Sequence, residues 1–411
     1  MSTFPEYRSW LVIEAAQGFG AATLAAKLLA DLGCTVARLE ERGSPSFHDG
    51  GAQGDDESDP DAPVHELLSR GKHSIGIAYG EAAAAPALEA LLRDAEVLVA
   101  DRDGLRRLQQ ALRVADLRER FPRLTVCGCT PFGLEGPLAE WTGGEEIVQA
   151  ITGIMSVTGH PRSGPTRIAG APLTHAAAMF AVTSILADVL RKRAAGNLDA
   201  RGGLLDVSVY DAALAFQSAA LPAYWLSGTA PVPIGNRHSM AAPWNSFQCA
   251  DGWAIICAGN HPTWVRLCET IGRPDLLSDP RYASQGERVA HVEAIEAEIT
   301  AWTRERSVAD VAAVLNAGTI ACGSVLPLKE VIEHPQFRVR GLLAQGSGGR
   351  QSGGVFNLDR EPLDVHQAPW RAGQGTRAIL LERCRVRRAD YEQWLAGGAL
   401  FEFGEEHVQA A

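Results

Sequence analysis

The sequence predicts an α/β protein, with a Rossmann-like parallel-sheet large domain and a smaller α+β domain. Three observations carry that expectation. Short apolar runs alternate with helical patterns through the first two hundred residues, which is the rhythm of βαβ units and so of a parallel sheet covered by helices. The rhythm stops after Asp211, where Pro222, Pro231, Pro233 and Gly235 mark an irregular crossing. A chain of 411 residues is also long enough to bury two cores.

Taken in order, residues 10–16 read as a first strand, 21–32 as a helix and 36–39 as a second strand. The Gly-, Ser-, Asp- and Pro-rich stretch 43–63 reads as a solvated loop, because it holds too little apolar surface to order itself. Residues 95–100 and 124–129 are further strands, and 172–195 is one long alanine-rich helix. That helix closes on Arg191-Lys192-Arg193, where cations suit the negative end of the helix dipole. Past the crossing, a strand at 253–258 leads to helices near 263–271, 287–304 and 308–317. The expected division is a discontinuous large domain, 1–215 with 325–411, around a small domain at 230–320. Residues 216–229 and 321–324 act as linkers, and a β-rich tail lies near 341–358.

Composition narrows the function. The hydrophobic share of 46% is that of a globular chain. The formal charge of -11 argues against nucleic acid or an anionic membrane surface as partner. The first residues lack a basic region followed by an apolar run, so the expectation is a cytoplasmic protein with no membrane partner. Eight cysteines are scattered, and Cys127-Gly128-Cys129 has no second ligand pair, so reduced thiols and no metal are expected. Gly18-Phe19-Gly20 lacks the third glycine of a dinucleotide fingerprint, which argues against NAD.

A series of short motifs adds to this reading. Leu28 to Glu40 runs helix, turn, strand, followed by Ser69-Arg70-Gly71-Lys72-His73-Ser74 and Phe132-Gly133-x-x-Gly136-Pro137. Gly143-Gly144-Glu145-Glu146, then Gly170-x-Pro172-Leu173-Thr174-His175 and Asp206-Val207-Ser208-Val209-Tyr210-Asp211 form the centre. Gly235-Asn236-Arg237-His238, Gly259-Asn260-His261 and Asp279-Pro280-Arg281-Tyr282 follow. In this order they resemble the class III CoA-transferase family, which includes the α-methylacyl-CoA racemases, over about nine-tenths of the chain.

The resemblance implies an interlocked homodimer, or a heteromer with a catalytic paralogue. It also implies coenzyme A or acyl-CoA with a carboxylic acid as the small-molecule substrates. Arg38 and Lys72 match positions that contact the CoA nucleotide, as does Arg102 in a divergent segment, with Gln17 in the first βα turn. Guanidinium and ammonium groups suit phosphate. The Asn236–His238 and Gly259–His261 motifs are expected on the substrate side. The family's transferases carry an Asp nucleophile before the long helix. A gapless match puts Thr174 there, and a match anchored on Gly170-x-Pro172 puts His175 there. An ester on Thr174 would be more stable than a thioester and would trap the enzyme, whereas His175 could pass through an acyl-imidazole. Glu145 falls where the racemases have a His, so Glu145 and His175 could instead form a proton-transfer pair. A third reading is a non-catalytic CoA-binding subunit.

Overall fold

The apolar run at the start of the chain forms β1 (Leu11–Ala15), buried along its whole length, as befits a parallel strand covered on both faces. The computed structural model describes residues 7, 9–42, 62–194, 200–341, 343–346, 349–352, 355–359, 361–363 and 370–404. In chain order β1 is followed by α1 (Ala21–Asp31), β2 (Thr35–Glu40), α2 (Ala62–Ser69), β3 (Lys72–Ile77), α3 (Ala85–Asp94), β4 (Val97–Ala100), α4 (Arg102–Leu112), α5 (Leu117–Arg120) and β5 (Thr125–Thr130). Then come α6 (Glu145–Ile151), α7 (Ile154–Val157), α8 (Pro172–Ala194), β6 (Leu204–Ser208) and α9 (Val209–Phe216).

The strands lie in the order β3-β2-β1-β4-β5-β6, all parallel, and the short strand Leu400–Phe401 pairs antiparallel with the free edge of β3. The direction of winding therefore reverses between β1 and β4. In such sheets a crevice opens outside the carboxyl ends of the two strands at the reversal. Gln17 follows β1 and Asp101 follows β4, so both stand at that crevice. Gly104 shows how closely α4 meets it: a Cβ there would sit 1.8 Å from the carbonyl oxygen of Ala15.

The chain divides into two units. The first comprises Met1–Thr152, Ala169–Ser218 and Pro335–Ala411, and the second Gly153–Ile168 and Ala219–His334. The core of the first includes Leu11, Ile13, Ile75, Leu88, Leu98 and Leu108. Residues 43–61, within the stretch expected to be a loop, lie outside the described residues. The tail read as β-rich is described in part, as an antiparallel pairing of Leu343–Gly346 with Gly349–Ser352.

Among the described residues α8 alone is long and apolar enough to cross a bilayer, yet 56% of that apolar window is buried inside the protein. Its polar side chains explain why. Asp188 accepts from Thr125 Oγ1 at 2.7 Å and from the Gly203 amide at 3.0 Å, and Lys192 Nζ donates to the Arg123 carbonyl at 3.0 Å. These bonds tie α8 to the sheet, so α8 is a core helix.

The second unit contains α7 and, from its main segment, α10 (Ala220–Ser227), β7 (Trp244–Gln248), β8 (Trp253–Cys257), α11 (His261–Thr270), α12 (Gln285–Ala290), α13 (Val292–Thr303), α14 (Val308–Ala317) and β9 (Ala321–Ser324). The three strands form an antiparallel sheet in the order β7-β8-β9. Phe247, Trp264, Leu267, Ile295, Ile299 and Leu315 fill its core. Arg288 is fully buried there, with its guanidinium donating to the carbonyls of Ala242, Tyr282 and Gly259 at 3.0–3.3 Å. Three carbonyls satisfy a cation that would otherwise be prohibitive to bury.

Candidate active site

The entry to α8 carries the three residues expected to be catalytic. Pro172 opens the helix, where its missing N–H costs nothing. The next two amides are held by a side chain from another helix. Glu145, the first residue of α6, is buried and accepts from Leu173 N at 3.2 Å and Thr174 N at 2.8 Å. It also accepts from Thr174 Oγ1 at 2.7 Å and from Gln149 Nε2 at 2.9 Å. A carboxylate at a helix N-terminus satisfies orphan donors and complements the dipole. Glu145 is thus a cap supplied from outside the helix, and Thr174, also buried, directs its hydroxyl at that cap.

His175 is one residue further on, about 100° around the helix, and is exposed. Its Nδ1 lies 2.9 Å from the carbonyl oxygen of Ala171, which also receives the His175 amide at 3.2 Å. A carbonyl only accepts, so Nδ1 carries the proton and, in the neutral ring, Nε2 keeps its lone pair. The approach depends on two consecutive left-handed residues, Gly170 at φ 82° and Ala171 at φ 53°, the second of them rare for a residue with a side chain. The Phe19 ring stands 6.0 Å from the imidazole, centroid to centroid.

The four residues expected to hold the nucleotide fall into two groups. Arg38 and Lys72 share a buried cluster with Glu14 and Glu40. Lys72 Nζ is 2.7 Å from Glu14 Oε2 and donates to the Thr23 carbonyl at 2.9 Å. Arg38 Nε is 3.4 Å from Glu40 Oε1, and Arg38 Nη1 donates to Ser69 Oγ at 2.9 Å. Among the described residues Arg38 Nη2 is buried with no hydrogen-bond partner. Burial pushes the Lys72 ammonium down to about 8 and pushes the Glu40 carboxyl above its ordinary range.

Gln17 and Arg102 flank the crevice instead. The Gln17 amide donates to Asp101 Oδ2 at 3.0 Å, and Asp101 Oδ1 caps α4 by accepting from Gly104 N at 2.7 Å. Gln17 Nε2 reaches the Tyr79 hydroxyl at 3.4 Å, and the Arg107 guanidinium lies over the Tyr79 ring at 4.5 Å while pairing with Glu41. Arg102 donates to the Gly133 carbonyl and to Glu140. Asp101, Tyr79 and Arg107 were not expected from the sequence. An Asp directly after a strand, three residues before a Gly, is the N-cap signal that marks the first of them.

Within the second unit the motifs expected on the substrate side are tied inward. Arg237 makes a two-pronged pair with Glu296 at 2.9 and 2.6 Å, Asn236 donates to Ser246, and Asn260 caps α11.

Residues 9–376 match the family model described as CoA-transferase family III. The chain is 30% identical over 305 residues to acetyl-CoA:oxalate CoA-transferase of Acetobacter aceti, covering 74% of this chain and 77% of that one. It is 29% identical over 357 residues to succinate–glutarate CoA-transferase of Agrobacterium fabrum, covering 84% and 86%. The crystal structure of a CAIB/BAIF family protein from Brucella suis superposes with a TM-score of 0.77 at 25% identity, over 93% of this chain and all of that one.

Two outcomes follow. Glu145→Ala strands buried donors at the start of α8 and should cost about 3 kcal/mol in urea unfolding, with Glu145→Gln costing less; a loss below about 1 kcal/mol for the alanine variant contradicts the capping role. The folded pKa of Lys72 lies below the unfolded one, so between about 8 and 10.5 the unfolded chain binds more protons and this group makes stability rise with pH. NMR of 13C-labelled lysine should show one ε-carbon titrating near pH 8 and lost in Lys72→Met; titration of the Lys72 signal above pH 10 contradicts the burial.

Proposed function

The chain belongs to CoA-transferase family III, and from that premise we propose that it moves coenzyme A between an acyl-CoA and a carboxylic acid, with His175 Nε2 as the reacting atom. One observation carries the choice of residue. Of the three candidates, Thr174 is buried with its hydroxyl given to Glu145, and Glu145 is buried with four donors on its carboxylate. His175 alone is exposed with an uncommitted heteroatom.

The chemistry balances through an acyl-imidazole. Nε2 attacks the thioester carbonyl, the C–S bond breaks, and CoA leaves as thiolate. The incoming carboxylate attacks the same carbonyl, the C–N bond breaks, and a mixed anhydride forms. The thiolate then attacks the acceptor carbonyl of that anhydride, giving the new acyl-CoA and releasing the donor acid. Oxalate, succinate and glutarate in the relatives' names make short dicarboxylates the first acceptors to test. The crevice between β1 and β4, with Gln17 and Arg102, supports a CoA site at that edge. In the separate cluster on β2 and β3, the orphaned Nη2 of Arg38 supports a phosphate contact, with Lys72 paired to Glu14 beside it. Glu145 is saturated with donors, which disfavours it as the second base of an isomerase.

Incubation with succinyl-CoA and glutarate, followed by chromatography of the CoA esters, should give glutaryl-CoA. His175→Ala should reduce this at least about 100-fold with CoA affinity retained, and Arg38→Lys should weaken CoA binding about 10-fold by calorimetry. Transfer that survives in His175→Ala removes the assignment. Deuterium entering the α position without transfer favours the isomerase, and CoA binding with neither reaction favours the subunit.

We further propose that a second copy of this chain covers α10. None of its residues is buried, and Trp225 and Leu226 are 74% and 90% exposed, which is unusual for an isolated apolar helix surface. The purified chain alone should scatter light as a homodimer at micromolar concentration, and Trp225→Glu with Leu226→Glu should shift it to monomer. A monomeric wild type contradicts the homodimer.

A further inference from the structure

We propose that the chain has a second activity, hydrolysis of acyl-CoA thioesters, in which water takes the place of the carboxylic acid at His175. This rests on the reading of His175 as the reacting group, and it follows from what an imidazole can and cannot hold.

A side-chain carboxylate that has been acylated keeps a carbonyl carbon of its own, to which CoA can be attached and so stored. An imidazole has none. Once an acyl group is on Nε2, CoA cannot be parked on the enzyme, and the acyl carbon must go directly to whichever nucleophile reaches it first. The candidates are the departed thiolate, a bound carboxylate and water.

Three features favour water when no acid is bound. His175 is exposed although it stands at the start of a helix whose neighbouring positions, Leu173, Thr174 and Ala176, are buried. Nδ1 rests on the Ala171 carbonyl and not on a carboxylate, and among the described residues no acid lies within ion-pair distance of the ring. The exposed ring passes its Nδ1 proton to solvent once Nε2 is acylated, and the neutral acyl-imidazole that results is itself open to attack by water. The left-handed backbone at Gly170 and Ala171 aims that carbonyl at Nδ1, which fixes the tautomer before any substrate arrives. Glu145, the acid that caps the start of α8, is fully engaged by four donors.

The step balances. Nε2 attacks the thioester carbonyl and CoA leaves as thiolate with the C–S bonding pair. Water attacks the acyl carbon, the C–N bond breaks, and its electron pair returns to Nε2. One proton of the water goes to the thiolate and the other to solvent, leaving a carboxylate and CoA thiol. No oxidant, reductant or metal is consumed.

The test uses the full chain with succinyl-CoA, and separately acetyl-CoA, in 18O-labelled water without added acid. Free CoA and acid are followed by liquid chromatography and mass spectrometry. The expected result is CoA release over many turnovers, one 18O in each acid molecule formed, and at least about a 100-fold loss in both His175→Ala and His175→Gln. The circular dichroism of both variants should match the wild type, since the side chain is exposed. Parallel reactions with glutarate present separate the two claims. His175-dependent transfer to glutarate without labelled acid overturns hydrolysis and leaves the transfer reading standing. Hydrolysis that persists in both variants overturns the assignment of water to His175. Absence of both reactions in the wild type overturns both claims.

Discussion

A single carboxylate organises the start of α8, where the proposed reacting atom stands. Glu145 reaches from the first turn of α6 to the first amides of α8 and fills the anion site that every helix N-terminus offers. With those amides taken, and the Thr174 hydroxyl taken with them, the next residue outward is His175. The geometry of the proposed reacting atom therefore depends on a contact that His175 does not itself make. The helix position that an anion could have used is already occupied by the protein's own charge.

A second set of buried charges lies under the sheet edge. Glu14 in β1, Arg38 and Glu40 in β2, and Lys72 at the start of β3 form a row of alternating sign across three neighbouring strands. Removing four such groups from water is expensive, and pairing recovers the cost incompletely. The depressed ammonium of Lys72 and the raised carboxyl of Glu40 express that expense. Among the described residues the cluster leaves Arg38 Nε and Nη2 without a hydrogen-bond partner, which is a standing free-energy debt that an anionic ligand could relieve.

Much of the fold was legible because it rests on periodicity. The strands β1, β2, β4 and β5 and the long helix α8 are continuous patterns. The site was legible only as a shortlist. The choice between Thr174 and His175 is a shift of one residue, which motif spacing cannot fix, yet on a helix it decides between the core and the solvent. Glu145 looked like a base because it falls where the racemases have a His; only the tertiary approach of α6 to α8 makes it a cap. Arg38 and Lys72 were expected as contacts of the CoA nucleotide, and the structure buries both. The sign that they are interior was present in β1, where Glu14 interrupts an apolar strand and demands a counter-charge.

The central claim is that His175 Nε2 is the atom that meets the acyl carbon. A crystal structure with a non-hydrolysable thioether analogue of succinyl-CoA tests it most directly. The account predicts the carbon in place of the thioester carbonyl within about 3.5 Å of Nε2, with Nδ1 still on the Ala171 carbonyl and Glu145 still capping α8. A complex in which Glu145 has left the helix and its carboxylate, or the Thr174 hydroxyl, lies closest to that carbon would contradict it.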